Sequence, residues 1–229
     1  MRYLLLLLFF TGACATGTGP RTPPAEPAAG GGAAFLALGD SYTIGEGVAA
    51  ADRWLVQLAA LAREQGLALS APALIARTGW TTAELQAAIQ ASGNANSYRV
   101  VSLLIGVNNQ YRGQSPRSYR PEFRQLLGTA VRFAGGQAGH VLVLAIPDWG
   151  QAPAGRRHRE QIGREIDQFN AVARDECQRA GIAFVDITPL TRAAAGQRRQ
   201  FAGDGLHYSG RQVRQWAQLA LPVVREMLR

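Results

Sequence analysis

From residue 33 onward the chain alternates between short apolar runs and longer stretches whose apolar positions recur at helical spacing. The runs are Ala34 to Leu38, Ala73 to Ala76, Val100 to Ile105, Val141 to Ile146 and Ala183 to Ile187. Each has the length and texture of a strand buried on both faces. Between them, Trp54 to Gln65 carries an apolar stripe, and Thr82 to Gln90 opens beside threonines suited to capping a helix. Pro121 to Ala134 reads as a helix with proline in its first turn. Arg159 to Ala180 is long and amphipathic and stops at Gly181, and Ser209 to Leu228 closes the chain with Pro222 as a kink. This alternation predicts an α/β fold, a three-layer α/β/α sandwich around a parallel five-stranded sheet. In such folds sites form at the carboxyl ends of the strands. Ser41, Gly79 and Asn108 each follow a predicted strand directly, so they should converge at one edge of the sheet.

The first residues have a different texture. Met1-Arg2 precedes an unbroken apolar run from Leu4 to Phe10, followed by Thr11-Gly12-Ala13-Cys14. That is the pattern of a signal peptide, and its apolar run is too short for a hydrocarbon layer that needs about twenty residues. Thr-Gly-Ala-Cys also resembles the bacterial lipoprotein signal, although Thr11 stands where leucine is usual. The expectation is a signal peptide over 1–13, lipidation of Cys14, a Gly/Pro/Ala-rich tether over 14–33 and one domain over 34–229. The protein would then be exported and held in the cell envelope by lipid on Cys14, or else be periplasmic or secreted. Residues 34–229 suffice to bury a full core without disulfides.

Charge and cysteines change this picture little. The formal net charge is +8, carried entirely by arginine, since the chain has no lysine. The arginines are scattered, with small clusters at Arg156, Arg157, Arg159 and at Arg192, Arg198, Arg199. No nucleic-acid-binding module accompanies them, so the reading is a solvated basic surface and no nucleic-acid partner. Cys14 and Cys177 cannot make a disulfide framework, and Cys177 falls among Ile162, Ile166, Phe169 and Ala173 as a small buried hydrophobe.

Four separated stretches carry the chemistry: Gly39-Asp40-Ser41, Arg77-Thr78-Gly79-Trp80, Gly106-Val107-Asn108 and Asp204-Gly205-Leu206-His207. A serine hydroxyl is a poor nucleophile until a base takes its proton. Of three histidines, His140 precedes a strand and His158 sits among arginines, which makes both surface positions. His207 alone has a carboxylate three residues upstream, where Asp204 can reach Nδ1 and leave Nε2 for Ser41. Acyl transfer also needs donors aimed at the developing oxyanion; Gly79 offers a backbone N–H and Asn108 a side-chain amide.

In these four blocks the sequence resembles the SGNH, or GDSL-type, hydrolase superfamily of esterases and lipases, in its single-domain bacterial form. The resemblance covers nearly all of residues 34–229 and extends to Ile146-Pro147-Asp148-Trp149-Gly150. It implies a flavodoxin-like sandwich, with Ser41 as nucleophile, His207 as base and Asp204 as its carboxylate. The oxyanion hole would be the N–H groups of Ser41 and Gly79 with the amide of Asn108. Neither metal nor cofactor is implied. Tyr42 stands where leucine is common, and Asn109 where aspartate is usual.

The expected reaction is hydrolysis of carboxylic, short-acyl esters through an acyl-enzyme, on a small acyl ester or an acylated saccharide, by a monomer. Asn109, Gln110, Tyr111, Arg112, Trp80 and Trp149 are candidates for the mouth of the site. Two alternatives leave the same residues in place: an acyltransferase using the same triad, and a non-catalytic envelope lipoprotein that binds without turnover. A Gly-x-Ser-x-Gly elbow is absent because Thr43 holds its last position. Gly45-x-Gly47-x-x-Ala50 lies too far past the strand for dinucleotide binding, and without lysine there is no P-loop.

Overall fold

The computed structural model describes residues 31–229. The signal-peptide reading, Cys14 and nearly all of the tether lie outside the described residues. The elements run β1 (Phe35–Gly39), α1 (Ser41–Ile44), α2 (Trp54–Glu64), β2 (Ala73–Ala76), α3 (Thr82–Ser92) and β3 (Val100–Leu104). There follow α4 (Val107–Tyr111), α5 (Pro116–Phe133), β4 (Val141–Leu144), α6 (Arg159–Ala180), β5 (Ala183–Val185), α7 (Thr188–Ala193) and α8 (Gly210–Leu228). The five strands are all parallel, in the order β2-β1-β3-β4-β5. The α/β prediction holds.

Every residue of β1, β3 and β4 is buried, which is why these strands read as unbroken apolar runs, while the edge strands β2 and β5 are partly open. Helices α2 and α8 pack on one another, and α5 packs on α6 and α3. Trp54 and Trp216 are fully buried on the α2 and α8 side; burial of a large side chain stabilises by roughly 1.5–3 kcal/mol. Among the described residues no helix is long and apolar enough to cross a membrane. Cys177 is buried as expected, and burial pushes its thiol up to about 12.

One boundary differs from expectation. Helix α5 begins at Pro116, capped by the Ser115 hydroxyl, and Pro121 lies inside it. An internal proline deletes one backbone hydrogen bond to the carbonyl four residues back. Pro121 and Arg117 are both exposed, so solvent can satisfy that carbonyl. Two features position the site. Gly39 pairs with both Ala76 and Leu104, so β1, β2 and β3 end level and their following loops emerge together. Asn170 of α6 accepts from Ile146 N–H and donates to Ile146 C=O, both at 2.9 Å, pinning the segment that leads to Trp149.

Candidate active site

Ser41 is the first residue of α1. Asp40 is the cap: its Oδ1 accepts the Tyr42 N–H at 3.0 Å, which leaves the Ser41 hydroxyl free. Gly39 has to be glycine for room, because a Cβ there would run into the Thr43 side chain and the Leu104 carbonyl.

His207 arrives from the other end of the chain, on a loop that ties itself together. Phe201 and Tyr208 bridge across its base, and Ala202 N–H donates to His207 C=O at 2.8 Å. Asp204 Oδ1 accepts the N–H groups of Leu206 and His207, each at 2.9 Å. The other oxygen, Oδ2, lies 2.7 Å from His207 Nδ1, and His207 Nε2 lies 2.9 Å from Ser41 Oγ. A carboxylate at Nδ1 holds the proton there and leaves Nε2 to accept from the hydroxyl.

Gly79 and Asn108 face the same cleft of about 110 Å³ as Ser41 and His207. Asn108, in the first turn of α4, donates one amide hydrogen to Trp80 C=O at 2.9 Å and keeps a second for the cleft. Trp80 N–H closes a turn onto Arg77 C=O at 3.3 Å, with Gly79 in its third position at φ +84°. No described residue other than glycine has a positive φ, so this is a type II turn, which favours glycine there.

Burial and hydrogen bonding treat the two carboxylates of the site oppositely. Burial pushes the Asp204 carboxyl up, but the Leu206 N–H, the His207 ring and the His207 N–H outweigh it and hold the group below its ordinary range. Asp40 is fully buried, and its Oδ2 has no hydrogen-bond partner among the described residues. Burial therefore raises it to about 7 despite the Tyr42 N–H. The Tyr42 ring lies edge-on to His207 at 5.3 Å between centroids and against Tyr208 and Trp216.

The candidates for the mouth of the site divide. Tyr111 is 66 % exposed and meets Trp149 edge-on at 5.4 Å, and both line the cleft. Gln110 is buried; it accepts from Trp149 Nε1 at 2.8 Å and donates to Glu165 at 2.6 Å, so it supports the wall without forming it. Asn109 is also buried, accepting from Thr82 N–H at 3.1 Å and donating to Thr82 Oγ1 and Gln114. Its neighbours include Glu122 at 3.5 Å, which an amide tolerates and an aspartate would repel. Trp80 packs against the core. Arg112 turns to the Gly79 carbonyl at 2.6 Å and to Glu84 at 3.1 Å. Thr78, Val107 and Leu206 also line the cleft; they fall inside three of the four sequence blocks, where residue type gave them no role of their own. Glu84 had a signal: Thr81-x-x-Glu84 is a capping box, and both of its hydrogen bonds form.

Residues 37–212 match the model of the GDSL-like lipase/acylhydrolase family. The chain belongs to that family. As a GDSL-type hydrolase it is a carboxylic ester hydrolase by class. No curated protein sequence matches it. Among solved structures the GDSL hydrolase is similar to TesA, with TM-score 0.68 and 19% identity over 85% of this chain and 99% of that one. An acetylxylan esterase, Axe2 from Geobacillus stearothermophilus, aligns with TM-score 0.66 and 18% identity over 87% and 98% of the two chains. A lipase/acylhydrolase from Enterococcus faecalis gives 0.63 and 18%, over 86% and 97%. At these identities the likenesses establish the shared fold.

Proposed function

We propose that this GDSL hydrolase cleaves short-acyl carboxylic esters with Ser41 as nucleophile, His207 as general base and Asp204 as the carboxylate behind it. The observation that carries the reading is the unbroken relay from Asp204 Oδ2 through His207 to Ser41 Oγ, at 2.7 and 2.9 Å. Ser41 Oγ attacks the ester carbonyl while Nε2 takes its proton. The negative charge that develops on the carbonyl oxygen is met by the N–H groups of Ser41 and Gly79 and by the free amide hydrogen of Asn108. The imidazolium, beside an Asp204 held ionised, then protonates the departing alkoxide. Water, deprotonated by the same Nε2, releases the acid from the acyl-serine and restores the hydroxyl.

A cleft of about 110 Å³ favours a short acyl chain over a long one. The exposed Tyr111 beside Trp149 offers a flat apolar rim to the alcohol half of the substrate, in keeping with an acylated saccharide. That one structural neighbour is described as an acetylxylan esterase supports the same substrate class. We place the enzyme outside the cytoplasm, tethered by lipid on Cys14, on the strength of the Thr11 to Cys14 pattern. Growth with labelled palmitate tests this, since a Cys14→Ser variant that still carried label would end it.

Hydrolysis of p-nitrophenyl esters from acetyl to palmitoyl tests the reaction. Turnover should peak at short chains and vanish in Ser41→Ala, whose folding should be unchanged. Asn108→Ala should lower kcat by roughly 10²–10³ with little change in KM. Turnover that survives in Ser41→Ala would overturn the mechanism.

A further inference from the structure

Gly79 has little to hold it from its own side. Glycine has the widest backbone freedom of any residue. A Cβ at Gly79 would meet only Arg112 Nη2, at 3.9 Å, so packing does not fix it either. A shift of the turn would carry the Gly79 N–H away from the point where an oxyanion develops.

The surroundings grip this turn from α4. Arg112 Nη2 donates to Gly79 C=O at 2.6 Å, Asn108 Nδ2 to Trp80 C=O at 2.9 Å, and Asn109 Oδ1 accepts Thr82 N–H at 3.1 Å. Arg112 is itself fixed by Glu84 at 3.1 Å, and Glu84 is fixed by accepting Thr81 N–H at 2.8 Å. Within the same turn the Thr78 hydroxyl donates to Glu46. Asn108 and Asn109 are each committed elsewhere, to the cleft and to the core. Arg112 alone has both of its contacts on the turn and on the cap of the following helix.

We propose that Arg112 is a positioning residue for the oxyanion hole, anchoring the Gly79–Trp80 peptide by its carbonyl so that the turn carrying the Gly79 N–H stays against the cleft. This rests on the reading of Gly79 as an oxyanion donor. Arg112 touches neither Ser41 nor His207, and its side chain is 46% exposed. An exposed ion pair of this kind adds little to global stability, so its loss should register in the reaction and not in folding.

The test compares Arg112→Ala, Arg112→Lys and Ser41→Ala in the full-length protein, with p-nitrophenyl acetate as substrate and 1-butaneboronic acid as a tetrahedral adduct former. Arg112→Ala should lower kcat on the order of tenfold, less than removal of a donor itself would. KM should hardly move, the boronate should bind more weakly by the same factor as kcat falls, and the melting temperature should stay put. Arg112→Lys, which keeps a donor for the carbonyl, should recover part of the loss. A Ser41→Ala blank with unchanged kcat in Arg112→Ala would overturn the positioning role and leave the serine mechanism standing. So would a loss of kcat that tracks a fallen melting temperature and spares boronate binding. Undiminished turnover in Ser41→Ala would instead overturn the mechanism and the positioning role with it.

Discussion

Two aspartates flank the Ser41–His207 pair, and the fold gives them opposite characters. Asp40 adjoins the serine in sequence, is fully buried, and has one oxygen without a partner, so burial raises it to about 7. Asp204 is remote from the serine in sequence, keeps 39% of its side chain exposed, and receives hydrogen bonds on both oxygens. The second group therefore stays charged, although it is the one nearer to water. Proximity to Ser41 does not decide which carboxylate stays charged; the number of N–H groups aimed at it does. Asp40 has instead the local task of capping α1, which keeps the Ser41 hydroxyl out of the capping role serine so often takes.

The sharpest way to break this division is to exchange charge for an amide at each position. Asp204→Asn should lower kcat by about 10⁴, because an asparagine Nδ2 can turn toward Nδ1 and reverse the imidazole tautomer. Steady-state kinetics would show it, and a loss of only a few-fold would move the charge-balancing role elsewhere. Asp40→Asn should leave kcat near that of the wild type, since the amide oxygen can still cap Tyr42 N–H.

The effect of Asp40 should appear in stability against pH. Its carboxyl ordinarily titrates near 3.8 and in the folded chain near 7. Between those values the folded protein holds a proton that the unfolded chain has released, so stability falls as pH rises through the window and levels off above it. The contribution is on the order of a few kcal/mol at most. Melting temperatures at pH 5 and pH 8 should drop more in the wild type than in Asp40→Asn. Equal slopes would show that Asp40 does not titrate there. Smallest is Tyr42→Leu, where the two regions touch: losing the aromatic contacts to His207, Tyr208 and Trp216 should cost roughly 0.5–1.5 kcal/mol beyond the lost area, read from urea unfolding.

The sheet was legible because β1, β3 and β4 are buried on both faces and so read as apolar runs. Helices α2, α6 and α8 were legible from their stripes to within a residue or so at each end. The start of α5 was misread because Pro121 mimics a first-turn proline, while the true start at Ser115-Pro116 precedes any apolar stripe. Helices α1, α4 and α7 are too short to show a period at all. In the candidate site, Ser41, Asp204 and His207 announced themselves by residue type and spacing, and the structure brings them together. The directions of Gln110, Asn109 and Arg112 did not. Neighbouring positions on α4 and its cap point to a wall, a core and a carbonyl, and no pattern of polarity distinguishes those destinations.

The loop of residues 201–208 closes on itself. Asp204 and His207 thus form a cassette assembled from local contacts, and only its delivery to Ser41 depends on the rest of the chain. That delivery is shared by α8, which starts just after the loop and lies against α2, and by the segment after β4, where Tyr208 Oη–H donates to Asp148 C=O at 2.8 Å and Ala154 N–H to Gly205 C=O at 3.0 Å. Turnover in this enzyme is therefore a gauge of how well those attachments hold. A slip along α2 and α8 would part Ser41 from His207 while most of the sheet stood intact.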